Sequence, residues 1–203
     1  QGDWSSDVCS SDLHEIVCKE TDFLDEIENI IYVLETYDIT TVRASIGQYL
    51  VSKYVKSNTD IRVLLVGDGS DELFSGYIYN YMCPDEDTGH KDTIDLLSEI
   101  HYFDVLRCDR GISANGIEAR VPFLDHFLVD HVTSIPASLR LPVMNERQEK
   151  WILRKAFEND HLLPQNVLYR RKEAFSDGVS NAKKKKWAHV IQDHIQCVVD
   201  RKS

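Results

Sequence analysis

The sequence predicts an α/β protein, rich in helices and with few, parallel strands. Three observations carry that expectation. Arg62–Val66 is a short apolar run of the kind that forms a strand buried on both faces of a parallel sheet. The Gly67-Asp68-Gly69 turn after it leads at once into helical spacing, the strand–turn–helix order of open α/β sheets. Elsewhere the apolar residues recur at helical intervals. One strand does not make a sheet. Its partners are expected outside this sequence or in a segment whose pattern does not declare them, so the chain reads as part of an α/β domain.

Residues 1–12, QGDWSSDVCSSD, are rich in Ser and Asp and have no period. They are expected to be a non-native leader or a disordered arm, and 13–203 the folded part. Phe23, Ile27, Ile30, Ile31 and Leu34 mark a first helix. Thr40 or Thr41 is expected to cap a second, with Val42, Ile46, Tyr49, Leu50 and Val55 on its apolar face and Asn58-Thr59-Asp60 at its end. After the strand, Ser70 is the expected N-cap of a helix carrying Leu73, Tyr77 and Met82. Asp71 and Glu72 fall in its first turn, where the helix dipole favours negative charge. Cys83–Asp92 reads as a polar connection and Thr93–Arg110 as one long helical stretch. Pro122 opens a short apolar segment, and Pro136 and Pro142 flank a loop. Glu149–Glu158 is expected to be helical, Pro164 starts a short helix, Arg170–Gly178 forms a polar loop, and Lys183–Val199 is a terminal helix.

Composition narrows the function. The chain has 203 residues, 42% hydrophobic and 28% charged, ordinary for a soluble globular protein. No apolar run approaches the ~20 residues of a membrane span. A net charge of −11 argues against a general nucleic-acid or anionic-membrane binder. It leaves room for a small phosphate-bearing ligand, which needs only a few cations in one cleft. The five cysteines are odd in number and form no C-x-x-C pair, which fits a reducing cytoplasm better than a disulfide framework or a zinc site.

The turn itself admits more than one reading. As a helix start, Gly67 and Gly69 permit a sharp turn and the acids suit the dipole. An EF-hand is excluded, because the twelfth position from Asp68 is Tyr79 and a strand comes first. A P-loop is excluded by the missing G-x-x-x-x-G-K-[ST]. As a ligand wall, the turn lies beyond the carboxyl end of a strand, where glycines let the backbone approach a nucleotide. The first and third readings both stand on the residues alone.

Four motifs then occur in order: ETYDITTVRAS (Glu35–Ser45), GDGSDELFSGY (Gly67–Tyr77), NGIEARVPFLDH (Asn115–His126) and RRKEAFSDGV (Arg170–Val179). Together they resemble the synthetase domain of glutamine-hydrolysing asparagine synthetases, over nearly the whole chain from about residue 13. The resemblance implies a partial adenine-nucleotide α-hydrolase-like (ATP-pyrophosphatase) domain: a parallel sheet with flanking helices. It implies ATP and Mg2+, with aspartate activated as β-aspartyl-AMP and then attacked by ammonia. The ammonia would come from glutamine in an N-terminal glutaminase domain of the parent chain. It allows a homodimer. Neither nucleic acid nor membrane is an expected partner.

The carry-over is residue by residue. The family's Ser-Gly pair, which contacts ATP, reads Val66-Gly67 here, with Gly69 offering backbone beside it. The family's next residue, a Glu needed to form the acyl-adenylate, is Asp68, one methylene shorter. Ser70, Asp71 and Glu72 match the aspartate- and metal-facing wall, although no metal ligand set is assigned. Thr40 and Arg43 match the Thr-Thr-x-Arg near the phosphates, and Lys172 the lysine of the Lys-Glu-x-Phe-Ser-Asp-Gly loop. Cations at Arg43 and Lys172 suit a reaction that brings a carboxylate against a polyphosphate. Asp68 could orient the substrate or take the proton of the attacking ammonia.

Plainer readings stand beside these. Arg43 and Lys172, taken singly, are ordinary surface residues. Arg120 and Asp125 are expected as a buried structural pair that fixes a turn, and Lys183–Lys186 as a solvated helix face. Glu35 and Asp38 are open between capping and the cleft. The family's pyrophosphate loop, Ser-Gly-Gly-x-Asp-Ser, is not in this sequence and is expected upstream, so the chain alone is expected to be inactive. Other adenylating amide-forming synthetases, of the β-lactam-forming kind, and a non-catalytic binding homologue share much of this pattern.

Overall fold

A computed structural model of the protein describes residues 13–173 and 187–202. The leader and the run Lys183–Lys186 lie outside these, as does most of the Arg170–Gly178 loop. Three helices open the described chain: α1 (Glu20–Leu24), α2 (Ile27–Leu34) and α3 (Ile39–Asn58). With α11 (Trp187–Lys202) they enclose one core of Ile27, Ile30, Leu34, Val42, Ile46, Tyr49, Trp187 and Ile191. In α2 the spacing of Ile27, Ile30 and Leu34 places all three on one face, as helical periodicity requires.

The cap of α3 differs from expectation. Asp38, not Thr40 or Thr41, precedes the helix and accepts from the Thr41 N–H at 2.7 Å. Hydrogen bonds from the Thr41 backbone and side chain lower its pKa. Thr40 is thereby released into the first turn. α3 is buried on more than one face because small residues let a second helix approach: Ser45, Gly47 and Ser52 are buried. Asn115 ties that contact by donating to Ser52 Oγ at 2.9 Å.

The strand has a partner that the pattern did not declare. β1 (Val63–Leu65) pairs in parallel with β2 (Glu118–Arg120), in the register Val63↔Glu118, Leu64↔Ala119 and Leu65↔Arg120. β2 is three residues long with charges at both ends, so no apolar alternation marks it. Nor is β1 buried on both faces. Leu64, Val66 and Ala119 pack on Cys108, Ile112 and Ile117, whereas Val63 is 38% and Leu65 75% exposed.

After β1 the expected long helix is a single turn, α4 (Ser70–Leu73), with a separate 3-10 turn at Ile78–Met82. Its N-cap is Gly69 at φ 87°, not Ser70, which occupies the first helical position. A Cβ at Gly69 would lie 2.4 Å from Leu124 Cδ2, so both conformation and space call for glycine. The polar connection at Cys83–Asp92 is largely helix. Asp85 accepts from the Thr88 N–H at 2.7 Å and starts α5 (Glu86–Glu99). The stretch Thr93–Arg110 is interrupted by a 3-10 turn (Ile100–Tyr102) and by Phe103 at φ −123°, ψ −98°, before α6 (Asp104–Ser113).

Past β2 come a 3-10 turn (Pro122–Leu124), α7 (His126–Ser134), α8 (Ala137–Arg140), α9 (Trp151–Ala156) and α10 (Gln165–Leu168), the last following Pro164 as anticipated. α9 is shorter than Glu149–Glu158. The Arg120–Asp125 pair does not form. Arg120 meets Glu118 across the exposed face of β2 at 2.8 Å, while Asp125 caps α7 by accepting from Phe127 and Leu128 N–H. Phe74 meets Phe123 edge to face, with centroids 5.9 Å apart, joining α4 to this second layer. Among the described residues no helix is long and apolar enough to cross a membrane.

Candidate active site

A cavity of about 640 Å³ opens at the carboxyl end of β1. Thr40, Arg43, Val66, Gly67, Asp68, Gly69, Ser70, Asp71, Glu72 and Lys172 all line it, so the structure brings together the ten residues to which the resemblance gave site roles. Thr40 and Arg43 come from the start of α3, the next seven from the β1–α4 turn, and Lys172 from the segment after α10. Sequence reasoning missed Gln48, Asp104, Arg107 and Lys150, and assigned Tyr77 only to a helix. The sole local hint for the α6 pair was the spacing of Asp104 and Arg107, which form an ion pair across one helical turn.

Within the turn, Gly67 leaves its cavity side open: a Cβ there would meet nothing within 4 Å. Val66 lines the cavity yet packs into the apolar cluster beneath β1. Asp68 is half-buried, and Gln48 Nε2 donates to it at a long 3.4 Å. Burial pushes its pKa up, against the opposing pull of Arg107 and of hydrogen bonds from Cys108, its own N–H and Gln48. The buried Cys108 thiol is pushed up to about 12 by burial and by the Asp68 charge.

Asp71 meets the reverse situation. Lys172 Nζ donates to Oδ2 at 2.8 Å and Lys150 Nζ sits 3.1 Å from Oδ1. Lys150 also donates to Ser70 Oγ at 2.8 Å, which is the use the structure finds for the hydroxyl expected as a cap. Burial lowers the Lys150 pKa, and the neighbouring Asp71 opposes that shift. Lys150 holds a left-handed backbone, φ 58°, uncommon for a side chain of this kind. Close approach needs Gly76: a Cβ there would lie 2.1 Å from Asp71 Oδ1 and 2.5 Å from Lys150 Cε.

Glu72 is buried and accepts from the Tyr77 hydroxyl. Burial and this bond raise the Tyr77 pKa. Tyr77 stacks on Tyr79 at 5.4 Å between centroids, and Lys172 Nζ lies 5.9 Å from the Tyr77 ring centroid. Of Glu35 and Asp38, open between capping and the cleft, only Asp38 is a side-chain cap, and neither lines the main cavity. They line an adjoining cavity of about 590 Å³ that shares Thr40, Glu72, Tyr77, Asp104 and Arg107 with the first. Asp38 is also a cap, and Glu35 pairs with Arg110 at 3.2 Å.

The main cavity is lined by four cations, Arg43, Arg107, Lys150 and Lys172, and four acids, Asp68, Asp71, Glu72 and Asp104. In a protein of net charge −11 this is a locally balanced cleft that can admit an anion. The residues fit a polyphosphate. They do not form a metal cage of their own: among the described residues no three His, Cys, Asp or Glu side chains are placed to hold an ion. A divalent ion would be held mainly by the ligand's phosphates, as is usual for magnesium.

The family model described as asparagine synthase matches residues 3–95 and 81–197. The chain is 48% identical over 190 residues to a Gallus gallus protein named asparagine synthetase [glutamine-hydrolyzing], covering 94% of this chain and 33% of the relative. A Cricetulus griseus protein of the same name is 45% identical over 190 residues, with the same coverage. The Homo sapiens protein of that name is 43% identical over 195 residues, covering 96% of this chain and 34% of the relative. The chain thus spans about a third of the length of the curated relatives it matches.

Proposed function

The chain belongs to the asparagine synthase family, and from that premise we propose that its cleft is the adenylation site of an ATP-dependent asparagine synthesis. One observation carries the reading: the acids Asp68 and Asp71 and four cations from four separate segments converge on one cavity at the end of a parallel strand. On this reading the fold is part of an ATP-pyrophosphatase α-hydrolase-like domain. The full-length protein carries a glutaminase domain that supplies ammonia, and it works in the cytoplasm.

ATP enters against Gly67 and Gly69, with Thr40 and Arg43 toward its phosphates. Arg43, Arg107, Lys150 and Lys172 screen the repulsion between the incoming aspartate carboxylate and the polyphosphate, and they stabilise the charge that develops as pyrophosphate leaves. Mg2+ bound through the phosphates would add further charge neutralisation. The product of the first step is β-aspartyl-AMP. Asp68 suits the second step because burial raises its proton affinity, so it can take a proton from ammonia as the new C–N bond forms, the acyl C–O bond breaks and AMP leaves. Asp71 keeps both lysines in place across the cycle.

The test is pyrophosphate release by the full-length protein from ATP with and without aspartate, followed by asparagine formation on adding ammonia or glutamine. Aspartate-dependent release and asparagine formation are expected. ATP binding without any such release would overturn the reading in favour of a binding homologue. Release driven by a different carboxylic acid would make the protein another amide-forming synthetase.

A further inference from the structure

Glu149 does not line the cavity, and no sequence motif marks it, yet it is 4% exposed. A buried carboxylate is costly unless it is paired and fully hydrogen-bonded. Here both oxygens are used. Oε1 accepts from the Lys172 backbone N–H at 2.7 Å and from Arg154 Nη2 at 3.4 Å; Oε2 accepts from the Tyr81 hydroxyl at 2.9 Å. Arg154 extends the tie. Its Nε donates to the Glu149 carbonyl at 2.8 Å, and its terminal nitrogens donate to the carbonyls of Leu168 and Arg170. Every one of these main-chain partners other than Glu149 itself belongs to the segment that brings Lys172 into the cleft.

Glu149 also immediately precedes Lys150, whose left-handed backbone sends its ammonium to Asp71 and Ser70. One dipeptide therefore controls both lysines on Asp71: Lys150 by its own side chain, and Lys172 through the main chain that Glu149 grips. We propose that Glu149 is a positioning residue, which sets Lys172 Nζ on Asp71 by holding the residue-172 backbone from behind the cleft wall. Its role in turnover rests on the adenylation reading given above; its role in placing Lys172 does not.

The charge is the essential part. A glutamine has nearly the same shape but offers an amide NH₂ to a pocket filled by donors, and it loses the attraction for Arg154. The experiment uses the full-length protein as wild type, Glu149→Gln, Tyr81→Phe, Lys172→Met and the double variant Glu149→Gln/Lys172→Met. Trace acetylation with acetic anhydride, read by mass spectrometry lysine by lysine, reports how firmly Lys172 is held without requiring activity. Severalfold faster labelling of Lys172 is expected in Glu149→Gln, with a smaller rise in Tyr81→Phe. In turnover, Glu149→Gln should lose about 10- to 100-fold in kcat for pyrophosphate release, with the KM for aspartate nearly unchanged. The double variant should be no slower than Lys172→Met alone.

Unchanged Lys172 labelling in Glu149→Gln overturns the proposal, as does a double variant that shows the full product of the two single losses. If Glu149→Gln does not fold, Tyr81→Phe decides by the same labelling, and an unchanged rate there overturns it. A wild-type protein without aspartate-dependent pyrophosphate release would defeat the adenylation reading, while the labelling would still decide what Glu149 does.

Discussion

Asp68 and Asp71 stand three residues apart in one turn, and both line the same cavity, yet their surroundings are opposed. Asp71 is held by two lysine ammonium groups at 2.8 and 3.1 Å. Asp68 has a long contact from Gln48, a buried thiol and the more diffuse field of Arg107, and burial raises its pKa. The difference teaches what each acid is for. A carboxylate neutralised by two cations is a fixed anchor that keeps those cations aligned. An incompletely compensated one is a group whose protonation can change during a reaction.

The comparison can be broken from either end. The largest effect is expected at the anchored end: Lys172→Met in the full-length protein should lower aspartate-dependent pyrophosphate release by roughly 10²–10³-fold, the loss typical of removing one transition-state charge partner. Activity close to wild type would show that the lysine end is only structural. Next, Gly76→Ala forces a methyl group into Asp71 and Lys150. It should cost about 1–3 kcal/mol in denaturant unfolding, as overpacking does. A neutral result would mean that the lysine end yields easily.

At the other end, Asp68→Asn should make the protein more stable at pH 7. The sign follows from linkage. The folded Asp68 pKa lies above the ordinary value of 3.8, so the native state binds the proton more tightly and loses stability as pH rises through that window. Asparagine removes this loss. Its advantage in melting temperature should therefore disappear when the pH falls below the ordinary value, and an advantage that persists in acid would contradict the burial argument. The smallest effect belongs to Gln48→Leu. It removes a weak donor to Asp68 together with a buried Gln48 Oε1 that has no hydrogen-bond partner among the described residues, so stability should change by less than about 1 kcal/mol. A larger loss on chemical unfolding would show that Asp68 is better supported than its contacts indicate.

Much of the cleft wall was legible because it is contiguous. Gly67 to Glu72 follows a strand and carries its chemistry in six adjacent residues, and the position of Gly69 is dictated by its left-handed backbone. The opposite wall was not legible. Lys150 was legible only as part of the expected helix Glu149–Glu158, and Glu149 acts through a main-chain bond to residue 172, a relation that only tertiary structure creates. The fold shows the same division. α2 and α3 were visible through their apolar spacing. β2 was hidden because three residues, Glu118-Ala119-Arg120, contribute a single apolar side chain to the pair. The cap errors at Ser70 and Thr40 have different causes: Gly69 takes the cap by its left-handed backbone, and Asp38 by a carboxylate that accepts from the Thr41 N–H.

The lysine clamp also fixes an order of events. The Lys150–Ser70 bond spans 80 residues and the Lys172–Asp71 bond 101, whereas the α2–α3 helical pair is built from neighbours in the chain. Closing such long loops carries an entropy cost that local helix pairing does not, and contacts of that separation slow the search for the native state. During synthesis the acidic turn leaves the ribosome well before either of its ammonium partners exists, so Asp71 stays exposed to water until the last segments of the cleft arrive. The clamp is therefore a late closure, not a nucleus of the fold.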